Sequence, residues 1–179
     1  MTGKSNDLPL VLGRMISLLF QGACAVAGVI VLLVIPFVIL MSQDMLSGIG
    51  IENDIAIIQQ SPFSVVAILV LLAAMLSALF LFFGKLRALI WSAGEGDPFI
   101  PENARHLNAM AWLLLSVQVL ALIVGAIRLY LANLVSNTPQ SLDFAVDDLD
   151  GLLMVLVLFI LARIFRHGAA MREDLDGTV

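Results

Sequence analysis

Charge is scarce in this sequence. Of its 179 residues, 13% are Asp, Glu, Lys or Arg, whereas 61% are hydrophobic. Soluble domains carry about 25% charged and 45–50% apolar residues. A chain of this size exposes too much surface to hide the excess inside itself, so the solvent that accepts it is lipid. Cysteine is nearly absent: Cys24 alone excludes an intramolecular disulfide framework. Gln21 stands before it where a lipid-attachment signal wants an aliphatic residue, so Cys24 reads as a small packing hydrophobe. His167 has no Cys or second His beside it, which leaves a metal site without ligands. A formal net charge of −5 argues against direct contact with nucleic acid. No internal repeat and no low-complexity stretch is present.

What is abundant is apolar length. About 20 mostly apolar residues cross a hydrocarbon core as helix. The sequence predicts an all-α, integral membrane bundle of four transmembrane helices at 15–41, 62–84, 107–131 and 147–166, forming a single domain. Pro36 is expected to kink the first. The fourth is the weakest, because its clean apolar run covers only 151–162. Lys and Arg collect on cytoplasmic flanks. Lys4, Arg14, Lys85, Arg87, Arg105, Arg163, Arg166 and Arg172 all fall on one side of these spans, and Arg128 alone does not. Segments 42–61 and 132–150 contain no Lys or Arg and carry seven acids. Both termini, a loop at 85–106 and a tail at 167–179 are therefore expected on the cytoplasmic side. Trp91 and Trp112 at one boundary and Tyr130 at the other fit an interfacial belt.

Polar residues inside spans are few. Gln118 and Gln21 are read as hydrogen-bonding a neighbouring helix. Asp143, Asp147 and Asp150 share a helical face, and Arg128 is expected to pair with Asp147 or Asp150, pinning the third helix to the fourth. Ala23 with Ala27, Ala74 with Ala78 and Ala121 with Gly125 stand at the spacing that lets helix backbones approach, or a second copy dock as a homo-oligomer.

The loop reads Gly94-Glu95-Gly96-Asp97-Pro98-Phe99-Ile100-Pro101-Glu102-Asn103-Ala104-Arg105. Asp97 before Pro98 starts a turn. Pro101 with Glu102 makes a first helical turn, where proline is tolerated and acid suits the dipole. The glycines match no phosphate-binding pattern. Phe99, an aromatic in a polar loop, is expected to insert between helices or dock on the tail.

This loop motif, followed by an apolar helix holding Trp112, resembles the signature of the bacterial membrane family called domain of unknown function 2975. The ending from Ile164 to Val179 resembles that family's terminal motif, in which an aromatic-Arg pair leads to an acidic run. The sequence departs from the pattern at His106, where a second basic residue is usual, and at Gly177. The resemblance implies four membrane helices, a place in a bacterial inner membrane and a gene neighbourhood of small Cro-type helix-turn-helix regulators. It assigns no biochemical activity.

The sequence reading is thus a non-enzymatic membrane sensor or anchor, needing no cofactor, that binds a small cytoplasmic helix-turn-helix regulator. Phe99, Glu102, Asn103, Arg105, Arg172, Glu173, Asp174 and Leu175 are the expected contacts. A small transporter or channel component is the alternative, resting on Gln118 as its sole midplane polar group. A structural homo-oligomer is another. No nucleophile–base pair or midplane carboxylate pair supports an enzyme.

Overall fold

The computed structural model describes residues 8–41, 62–94, 99–135 and 147–176. These form four α-helices: α1 (Leu8–Met41), α2 (Pro62–Gly94), α3 (Pro101–Val135) and α4 (Asp147–Asp176). Each is long and apolar enough to cross a membrane, and α4 is the least apolar of the four. The helix α1 runs unbroken through Pro36.

The helices are longer than the apolar spans that announce them. With 30 to 35 residues each they measure ~45–52 Å at 1.5 Å per residue, against ~30 Å of hydrocarbon. Most of the surplus lies at the end that carries the basic residues. Residues 85–93 contain charge but no helix breaker, and Leu86 and Leu89 pack onto the core. Charge ends the apolar run there without ending the helix, which continues to Gly94. Of the loop expected at 85–106, residues 85–94 belong to α2 and 101–106 to α3, while 95–98, with the turn expected at Asp97, lie outside the described residues. Pro101 opens α3 with Glu102 in its first turn, as its sequence predicts. The expected tail is helical as far as Asp176.

Packing follows chain order: α1 lies on α2, α2 on α3 and α3 on α4. Neighbours run antiparallel. Phe20 stacks on Phe83 with ring centroids 5.2 Å apart, and Gly13 lies opposite Ile90. Trp112 meets Phe159 edge-on at 5.6 Å. Among the described residues no extensive contact closes α1 against α4, so the expected bundle is an open row. The core joins Leu107, Met110 and Ala111 of α3 to Leu158 and Ala162 of α4. Phe82, Leu86 and Leu89 of α2 cover it from the side. Of the small residues expected at helix contacts, only Ala78 is buried; Ala23 and Ala74 are exposed.

Candidate functional site

The antiparallel row brings Arg14, Lys85, Arg87, Arg105, Arg163, Arg166 and Arg172 to one end. At that end the loop motif and the tail motif pack against each other. The ring of Phe99 lies 5.1 Å from that of Phe165 and rests on Gly168. A Cβ built at Gly168 would stand 2.7 Å from Cδ1 of Phe99, closer than carbon atoms approach. Gly168 is therefore the seat of the loop aromatic. Ala104 of α3 and Ala169 of α4 are buried beside this contact.

A second clasp joins α2 to α3. The Asn103 side-chain amide donates to Oγ of Ser92, while the Asn103 backbone N–H donates to the Ile100 carbonyl at 3.1 Å. Asn103, expected among the partner contacts, is instead 1% exposed. Burial of an amide is stabilising only when it is hydrogen-bonded, and here the amide ties the end of one helix to the start of the next. On the α1 side, the guanidinium of Arg14 lies 3.9 Å from the centre of the Trp91 ring, within cation–π range. Sequence reasoning places Trp91 at an interface but does not find this partner, because only tertiary packing sets α1 against α2.

The remaining expected contacts divide. Phe99, Glu102, Arg105, Arg172 and Glu173 are all exposed at this end. The side chains of Asp174 and Leu175 lie outside the described residues. Two depressions lie beside these exposed residues. One, of ≈ 960 Å³, lies along α4 between Phe99 and Met171. The other, of ≈ 410 Å³, has Arg105 and Asn108 of α3 on one wall and Arg166, Ala170 and Glu173 of α4 on the other.

Deeper in the row, each glutamine is set against a glycine of the adjacent helix. Nε2 of Gln21 lies beside Gly84, where an added Cβ would stand 3.3 Å away. The Gln118 amide fills the space beside Gly151. Small residues admit polar side chains between helices, and that pairing is invisible until register is known. The same register separates Arg128 from Asp150. With Gln118 opposite Gly151, Asp150 stands level with Val119, nine residues from Arg128 and about 13 Å along the axis. Both are exposed and are not brought together. Asp143 and the side chain of Asp147 lie outside the described residues.

Four helices of this length and composition are those of a multi-pass membrane protein. A family model described as Protein of unknown function (DUF2975) matches residues 53–179, and the chain belongs to that family. The match takes in α2, α3 and α4 and leaves α1 outside it. Neither the curated proteins nor the solved structures gave a significant match.

Proposed function

We propose that this protein is a non-enzymatic anchor or sensor of a bacterial inner membrane, with both termini cytoplasmic, that holds a small helix-turn-helix regulator at its basic end. The observation that carries the reading is the fusion of two distant motifs into one surface. Phe99 on Gly168 locks the loop to the tail helix, and Arg105 and Glu173 line a single depression between α3 and α4. Charged rims of mixed sign steer partners and fix register. The regulator's contacts are Glu102, Arg105, Arg172 and Glu173 around Phe99. Excess Lys and Arg at this end support a cytoplasmic setting, because basic residues collect on cytoplasmic flanks. The transporter alternative loses its main residue, since the Gln118 amide is taken up by the contact with Gly151.

Co-purification tests this. The full chain in mild detergent, co-expressed with a helix-turn-helix regulator encoded beside it, should retain that regulator. The Arg105→Glu/Glu173→Arg pair should release it while keeping the helical content and melting temperature of the parent. Equal recovery with both proteins would sink the reading. A reporter fused after Val179 that proves active only outside the cytoplasm would overturn the orientation.

A further inference from the structure

The larger depression differs from its neighbour in having no acid. Its walls carry Arg163, Arg166, His167 and Arg172, together with Phe99, Ile164 and Met171, and among the described residues no carboxylate lines it. An apolar stripe leads into it. Leu153, Val157, Ile160 and Ile164 recur on one face of α4, and each is more than half exposed. His167 and Met171 continue the same face into the depression, with Arg163 at its edge.

A guanidinium cluster at the head of an exposed apolar stripe is complementary to one kind of molecule. Arginine matches phosphate oxygens with a planar fork of donors, and the stripe offers an acyl chain a continuous apolar wall. We propose that this depression binds an anionic phospholipid of the leaflet bordering the basic end. Its phosphodiester lies between Arg163 and Arg166, and an acyl chain runs along Ile164, Ile160, Val157 and Leu153. This rests on the membrane reading above but not on the regulator. The adjoining depression contains Glu173, which repels a phosphate and suits a protein partner.

The test uses the full chain in nanodiscs of phosphatidylcholine doped with phosphatidylglycerol, transferred to native mass spectrometry. Phosphatidylglycerol should remain bound in preference to phosphatidylcholine. The Arg163→Gln/Arg166→Gln pair should weaken its retention roughly tenfold or more, the scale of lost charge-assisted hydrogen bonds. The Lys85→Gln/Arg87→Gln pair, which removes equal charge elsewhere at the same end, should leave retention unchanged. Equal loss in both pairs would mean diffuse attraction and overturn the site. No preference between the two lipids would also overturn it, and an acidic peptide bound there instead would reassign the depression to a protein. Failure to enter nanodiscs at all would overturn the membrane reading and the lipid site with it.

Discussion

The two ends of the helix row are built differently. At the basic end, polar and aromatic side chains interlock: Asn103 on Ser92, Phe99 on Gly168, and a core of Leu107, Met110, Ala111, Leu158 and Ala162 just below. Toward the opposite end burial among the described residues thins to scattered positions such as Val38 and Leu131, and the described part of α4 reaches less far than that of α3. With Gly151 opposite Gln118, α4 begins level with about Leu122, while α3 continues to Val135. The difference teaches where the fold is specified. Apolar surface gains little by leaving lipid for another apolar surface, so shape and polar fit must hold the row, and both are concentrated where the motifs are.

The sharpest way to break this contrast is to remove packing at the specified end. Leu107→Ala opens a void in the core, and the cost expected is about 2–5 kcal/mol. It should appear as a large fall in melting temperature of the detergent-solubilised protein. Leu122→Ala, on an exposed face of α3, should change little. Similar losses at both positions would erase the distinction between the ends.

A smaller effect is expected from filling the aromatic seat. Gly168→Leu forces Phe99 out of its place, and overpacking of this kind costs about 1–3 kcal/mol. Phe99→Ala in the same chain clears the space. The pair should therefore be more stable than the sum of the two single losses implies, a coupling that a double-mutant cycle reads directly. Additive losses would show that the two residues do not touch.

The glutamines provide a milder probe of the row's middle. Gln118→Leu should cost about 0.6–1.7 kcal/mol, the range found for polar contacts between membrane helices. Gly151→Ala should cost at least as much, because the new methyl group occupies the space of the Gln118 amide. A Gln118→Leu protein more stable than its parent would mean that the amide is a burden kept for binding something.

Much of the fold is legible from composition and charge, because both report on solvent rather than on contacts. Apolar length locates all four helices, Pro101 with Glu102 marks the start of α3, and the distribution of Lys and Arg gathers the right residues at one end. The helical continuations through 85–94 and 167–176 escape notice because hydropathy measures where lipid stops, not where hydrogen bonding stops. Phe99 stands out as an aromatic in a polar loop, and it docks on the tail helix. Its seat, Gly168, gives no local signal, since only a ring arriving from another element requires the missing Cβ. Asn103 reads as exposed beside Glu102 and Arg105, and only helix phase turns it inward to Ser92.

The Arg128 pairing is where sequence and register part most clearly, and it carries the smallest predicted effect. Spacing along the chain sets Asp147 and Asp150 on one face, and charge makes Arg128 their natural partner. Pairing across helices depends on axial level, which chain spacing does not encode. Asp150 sits about 13 Å from the level of Arg128, and sites more than 7–10 Å apart usually combine additively, to within about 0.3–0.5 kcal/mol. A cycle of Arg128→Leu with Asp150→Asn should therefore show no coupling beyond that margin. Coupling above about 1 kcal/mol would require α4 to slide toward the far end by about two and a half turns. That slide would carry Gly151 away from Gln118 and Gly168 away from Phe99, so the cycle tests the register on which both contacts depend.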